Sequence, residues 1–190
     1  MTQVADEVLG KVARQQHELF RRVKEGTLDP ALVSRGLQDL IEGRFAVNSD
    51  IYAISANYDL SVEKAVKAGK YDWSNSDITT KHFPSSRKGA AELEITLVHF
   101  DREIDSDEAI RELDKMGLRP VELPELLALG AKYPDVQREF PVIALGSVWQ
   151  YPLDYRFVPY LSESSGRRGL GLDWFGHRWH RRCRFAAVRK

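Results

Sequence analysis

The chain has 190 residues, 43% of them hydrophobic and 29% charged, with a formal net charge of zero and a single cysteine. That length accommodates one compact domain and a smaller appendage but not two large domains, and the composition is that of a folded globular protein. One cysteine excludes an internal disulfide and any multi-thiolate zinc site, which fits a reducing compartment.

The opening stretch MTQVADEVLGKVARQQ is amphipathic and lacks the apolar core and cleavage signal of a secretory peptide. The longest apolar runs, such as VIAL at 142–145, fall far short of the roughly 18 residues a spanning helix needs. A cytoplasmic protein with no membrane span is the expectation.

Apolar residues at Val4, Val8, Leu9, Val12, Leu19, Phe20 and Val23 follow a helical period over 4–25, and Gly26 supplies the stop. Asp29 before Pro30 is an N-cap followed by proline at the first helical position, so a second helix starts there and ends at Gly43. Residues 1–45 thus read as a helical hairpin. Its seven Lys/Arg are matched by seven Asp/Glu, which argues against DNA reading and for docking to a partner or oligomerisation.

Residues 46–90 read as a mixed connector. IYAISANYDL is a short strand, SVEKAVKAG a short helix between Ser61 and Gly69, and YDWSNSDITTKHFPSSRKG a polar loop in which His82 packs or meets solvent. The run Ser85 to Gly89 is the best internal boundary. From residue 91, ELEITLVHF alternates as a strand, Ser106 caps a helix ending at Gly117, and Pro124 begins another stopped by Gly130 and Pro134. PVIALGSVW, YRFVPYL, GLGLDWF and CRFAAVRK follow as short strands. Strand, helix, helix, then short strands indicates an α+β class.

Charge is uneven along the chain. Residues 46–165 carry thirteen Lys/Arg and twenty Asp/Glu, whereas 166–190 carry eight and one. The basic tail is either an anion-binding surface or the neutralising partner of the acidic middle. Its densest part is WFGHRWHRRCRF at 174–185. His177, His180 and Cys183 supply zinc-type ligands, but at a spacing that neither a strand nor a helix gathers, and Asp173 is a poor fourth ligand. Cys183 reads as a small apolar core residue and no catalytic nucleophile. GSVW lacks a nucleophile elbow, and GRRGLGLDW lacks the ending of a phosphate loop. No metal, cofactor or enzymatic activity is expected.

Two readings of the tail remain. Trp174, Phe175, Cys183 and Phe185 form core, while a turn at Gly176 projects His177, Arg178, Trp179, His180 and Arg182 as a recognition surface, extended by Tyr151, Asp154, Tyr155, Ser162 and Ser164. The alternative is nucleic-acid binding, with Arg167, Arg168, Arg178, Arg181, Arg182 and Arg184 as phosphate partners and Trp174, Phe175 and Trp179 as stacking planes.

The segment SDEAIRELDKMGLRPVELPELLAL, with Pro120 and Glu125 in place and Leu126 and Leu127 near the position of an expected Trp, resembles the early passage of C-type-lectin-like domains of the formylglycine-generating type. Gly146, Ser147, Trp149, Arg156, Arg184 and Phe185 resemble that fold's ending, although Val148 interrupts the Ser-Trp pair and Arg184-Phe185 reverses the usual order. The resemblance covers 91–190. It implies a C-type-lectin-like domain there. The formylglycine-generating oxidases need two active-site cysteines, so a single Cys does not support that chemistry. What the resemblance leaves is binding of a protein or other macromolecular ligand, as in the variable proteins of diversity-generating retroelements, which present aromatic and small polar residues from a rigid frame. Phrases such as EGTLDPALVSRGLQDLIEGRF and ELLALGAKYPDVQREFPVIALGSVW also resemble an uncharacterised bacterial family of candidate-phylum type.

Overall fold

The computed structural model describes residues 6–41 and 51–190; Val4 of the first apolar stripe and Gly43, the expected stop of the second helix, lie outside the described residues. In chain order the elements are α1 (Asp6–Lys24), α2 (Pro30–Ile41), β1 (Ile51–Asn57), α3 (Val62–Gly69), β2 (Trp73–Ser74), β3 (Ala90–Val98), β4 (Ile104–Asp105), α4 (Ser106–Lys115), β5 (Leu118–Pro120), α5 (Leu123–Lys132), α6 (Val136–Glu139), β6 (Val142–Ile143), β7 (Trp149–Gln150), β8 (Arg156–Ser164), β9 (Arg167–Trp174), β10 (Arg178–Trp179) and β11 (Arg184–Arg189). The class is α+β. The chain separates into two compact units, Met1–Phe45 and Ala46–Lys190.

The first unit holds two helices joined by a turn. Gly26 takes φ 71°, its N–H reaches Val23 O at 3.1 Å and the Thr27 N–H reaches Arg22 O at 3.0 Å, a Schellman ending for α1. Asp29 Oδ1 then accepts the Ala31 N–H at 2.7 Å, capping α2 as its sequence dictates. Arg21 braces α1 from outside by pairing with Glu18 and Glu25. None of the side chains described in α1 and α2 is buried.

The second unit is built on a sheet in the order β1-β3-β11-β6-β8-β9-β2, with β5 against β11 and β7 against β8. β1 pairs antiparallel with β3 from Ile51↔Thr96 to Asn57↔Ala90, and β2 pairs with β9. Residues 51–90 are therefore part of this sheet and not a connector beside it. The SSRKG stretch is the bend that delivers the chain into β3: Gly89 takes φ 75°, its carbonyl accepts the Tyr58 N–H, and Arg87 pairs with Glu122 at 2.7 Å.

Strand alternation sends neighbouring side chains to opposite faces, and both faces are covered. Ile54, Ile95, Leu97, Val142, Leu161 and Leu170 pack in one cluster with the α5 leucines, among them Leu126 and Leu127. Val98, Ile143, Val158 and Phe185 pack on the other side with Ile104, Ala109 and Leu113 of the β4–α4 segment.

Two local readings change. Asp105, not Ser106, caps α4, its Oδ1 accepting the Glu108 N–H at 2.7 Å. Ser106 is instead buried; its hydroxyl donates to Phe175 O at 2.5 Å and accepts from Trp179 Nε1 at 2.8 Å. Gly130 does not stop α5 but lies inside it, where a Cβ would overlap Tyr71 and Leu161. Finally, Glu125 is fully buried in the first turn of α5. Arg119 grips its carboxylate through both terminal nitrogens at 2.6 and 3.0 Å, the Tyr58 hydroxyl donates at 2.6 Å, and the Glu122 N–H at 2.7 Å.

Burial pushes the Glu125 carboxyl up, but Arg119, Tyr58 and the Glu122 amide outweigh it and hold the group below its ordinary value. Removing Arg119 leaves that charge buried and unpaired, so Arg119→Met is expected to cost about 3–5 kcal/mol in urea denaturation. A depressed folded-state pKa contributes stability above the unfolded value and loses it below. The wild-type contribution is therefore complete at neutral pH and erodes as pH falls below about 4.3, and denaturation midpoints between pH 7 and 3 check the direction. Ser106→Ala strands the Trp179 indole N–H and should cost about 2 kcal/mol in the same measurement.

Candidate functional site

The most exposed apolar residue of the second unit's described surface stands on a tip between β7 and β8. The strands pair through Trp149↔Phe157 and Gln150↔Arg156, and the Tyr151 N–H donates to Tyr155 O at 2.7 Å, leaving Pro152, Leu153 and Asp154 to turn the chain. Leu153 takes φ 72° and Asp154 φ 60°. Two successive non-glycine residues in the left-handed region cost about 1–3 kcal/mol each. The result is a Leu153 that is 86% exposed, flanked by half-exposed Tyr151 and Tyr155.

The base of the tip is packed with aromatic rings. Trp149 stacks on His82 with centroids 4.3 Å apart, and the His82 Nδ1 lies 2.9 Å from Asp77 O, so this histidine is a packing residue. Tyr151 meets Trp149 and Phe157 edge-on at 5.2 and 6.1 Å. Across the β8–β9 ladder Phe157 faces Trp174, whose indole covers Gly176 so closely that a Cβ there would overlap the ring. The Arg156 guanidinium lies 4.0 Å over Phe175, while the Phe175 N–H donates to Arg156 O. Tip, Arg156 and Trp174 thus occupy one end of the β8–β9 hairpin.

The residues expected to form one surface are distributed over separate places. Tyr151, Asp154 and Tyr155 are on the tip. Ser162 and Ser164 face Gly169 and Arg167 toward the hairpin's other end, about 17 and 24 Å of strand away from Phe157. His177 is exposed with its Nδ1 3.8 Å from Asp173, and exposed Arg178 pairs with Glu103 at 3.4 Å. His180 and Arg182 are exposed on a turn closed by the Cys183 N–H to His180 O, whose Arg181 carbonyl lies 2.7 Å from His99 Nε2.

The two tail tryptophans exchange roles. Trp179 is 2% exposed, tied to Ser106 and edge-on to Phe185, whereas Trp174 is 49% exposed. The two-residue β10 pairs with β4 and alternates Arg178 outward and Trp179 inward, so the indole finds its polar partner in the core. Leu153 and Arg156 belong to neither reading of the tail made from the sequence, and Trp174, expected in the core by the recognition reading, stands half exposed beside them. Nothing local marks Leu153, because glycine or asparagine is the signal for a left-handed position.

The basic residues of the tail do not line one face. Arg168 is buried, Arg184 lies 4.5 Å over Phe140, and Arg178 and Lys190 pair with Glu103 and Asp114 of the acidic middle. Cys183 is buried and burial pushes its thiol pKa up, the condition of a packing group. Among the described residues no three His, Cys, Asp or Glu side chains gather at metal-binding distances, and no helix is long and apolar enough to cross a membrane. Compared with known protein families, with curated proteins and with solved structures, the chain matches none.

Proposed function

We propose that this chain is a non-enzymatic recognition protein whose second unit, on a C-type-lectin-like frame, binds a protein partner through the Tyr151–Tyr155 tip and the adjoining Trp174. The observation that carries the reading is the pair of left-handed residues Leu153 and Asp154, which hold a large apolar side chain out in water. Such strain persists where it serves a contact. Tyrosine, tryptophan and arginine are the side chains that dominate binding hot spots, because they bury much area with few torsions. From β3 onward the two main helices, α4 and α5, precede a run of short strands, β6 to β11, an order compatible with a lectin-like frame.

Strain and contact make opposite demands on residue 153. Leu153→Gly is expected to raise stability by about 1 kcal/mol in urea denaturation, because glycine adopts a positive φ freely. The same substitution should weaken capture of the partner at least as much as Tyr155→Ala does. The comparison uses purified wild type and variants immobilised at equal density, exposed to one extract of the source cells and read by quantitative mass spectrometry. A protein retained by wild type and by Arg181→Ala/Arg182→Ala but lost from Leu153→Gly supports the tip. An identical retained set on all surfaces sinks it, and retention of oligonucleotides at low salt that disappears in Arg181→Ala/Arg182→Ala favours nucleic acid instead.

We also propose that the N-terminal helices serve assembly. Val8, Leu9, Val12 and Phe20 lie on one stripe of α1 and are each about half exposed, and an amphipathic helix draws most of its stability from packing such a stripe. Their balanced charge places no repulsion between two copies. Val12→Glu/Phe20→Glu is expected to shift sedimentation from dimer to monomer, and an unchanged wild-type monomer across micromolar concentrations rejects the idea.

A further inference from the structure

The sheet has a second feature, far from the tip. β1 is one of its two edges, and the direction of its free hydrogen-bonding groups follows from one bond. The Tyr58 N–H donates to Gly89 O at 2.9 Å, which continues the β1–β3 register and makes the even-numbered residues the ones bonded to β3. The main-chain groups of Ala53, Ser55 and Asn57 therefore face outward. Lys132 Nζ and the Tyr133 hydroxyl occupy the Ala53 carbonyl at 2.7 and 2.9 Å, and the Leu60 N–H reaches Asn57 O. Among the described residues nothing pairs with the Ser55 N–H, the Ser55 carbonyl or the Ala53 N–H.

That open stretch borders a cavity of about 490 Å³ between β1, α3 and α5. Its walls include Leu60, Val62, Ala65, Leu127 and Ala128, and Lys132 stands in it as the only ionised side chain among the lining residues. Ile54 and Ala56 point into the core beneath α5, so Ser55 and its odd-numbered neighbours send their side chains to the opposite face. What Ser55 offers the cavity is main chain. Along α5 the cavity runs from Pro124 to Lys132, about 12 Å, the length of three to four extended residues.

We propose that this edge and cavity form a peptide-binding site. An extended segment of a partner protein adds to β1 as a further strand, exchanging main-chain hydrogen bonds with Ser55. Its alternate apolar side chains enter the cavity, and an acidic side chain meets Lys132. An apolar small molecule would fill the cavity but leave the Ser55 donor and acceptor unused, and a helix would present no free main-chain groups to them; the extended peptide satisfies edge, cavity and charge together.

The test selects peptides from a random heptapeptide display library on the full chain, with counter-selection on Ala128→Trp, whose indole fills the cavity. The surviving sequences are expected to alternate apolar and polar residues over three to four positions and to carry Asp or Glu. Methylating one main-chain amide at a time in a synthetic selected peptide should weaken binding about five- to tenfold at every second position and little between, since each blocked bond is worth roughly 1 kcal/mol. Because that modification is on the peptide, folding of the protein does not enter. Ser55→Pro, tolerable on an edge strand, should reduce affinity similarly, and Lys132→Glu should reverse the preference for acid. An empty pool after counter-selection overturns the proposal. So does a methylation scan without the two-residue period, or a pool whose binding is lost on Leu153→Gly and kept on Ser55→Pro.

Discussion

A single buried guanidinium fixes the arrangement on which both surfaces rest. Among the described residues no carboxylate pairs with the Arg168 guanidinium of β9. Its terminal nitrogens donate to Gly69 O at 2.9 Å, Gly130 O at 2.7 Å, Lys70 O at 3.4 Å and Gln137 Oε1 at 3.1 Å, and its plane lies 5.0 Å over the Tyr71 ring. Burying an unpaired cation in an apolar core costs several kcal/mol. Here the carbonyl-bearing ends of α3 and α5, where helix dipoles are negative, converge on it and supply the compensation. The geometry leaves little choice of sequence. Tyr71 fits between the helices only because positions 69 and 130 lack a Cβ, and Asp72 completes the tie by exchanging hydrogen bonds with the Arg168 main chain at 2.7 and 2.9 Å. The walls of the β1 cavity and the hairpin that carries the tip are thus locked to each other through one side chain.

Features set by a few adjacent residues were legible in the sequence. Gly26 with Thr27, Asp29 with Pro30, Ser61, and Gly117 at φ 72° each act as their chemistry dictates, because a cap or a left-handed stop is decided within one turn. The alternation of ELEITLVHF likewise holds, with Ile95 and Leu97 in one cluster and Val98 with Phe100 in the other. Ambiguity arose where two neighbours could do the same work. Asp105 and Ser106 are both competent caps, and the choice falls to Asp105 because a tryptophan 73 residues onward requires the serine hydroxyl. Gly130 looked like a stop for the same reason that it is a contact: the absence of a side chain signals either, and only Tyr71 distinguishes them.

The candidate site was less legible because its parts are joined by pairings distant in sequence. Tyr151 and Trp174 share one end of a hairpin whose other end holds Ser162 and Ser164, a separation that composition cannot show. The charge asymmetry had two readings, and the pairs Arg178–Glu103 and Lys190–Asp114, with Arg168 buried, account for part of the tail's excess by neutralisation and structure. The strained tip lacked any signal, since Leu-Asp in the left-handed region runs against propensity.

The two edges of the sheet are treated differently, and the contrast bears on what β1 is for. An exposed edge invites pairing with other chains, and short strands or covering groups normally blunt it. At one end the sheet stops with β2, two residues long and parallel to β9, too short to template another strand. At the other, β1 runs for seven residues, and among the described residues Lys132 and Tyr133 cover its Ala53 carbonyl and the Leu60 N–H its Asn57 carbonyl. Covering the carbonyls on either side limits how far an added strand can extend while leaving Ser55 open beside an apolar cavity. An edge guarded against indiscriminate aggregation has no need of that opening, whereas an edge that accepts a short, specific segment needs both the opening and the block that ends it.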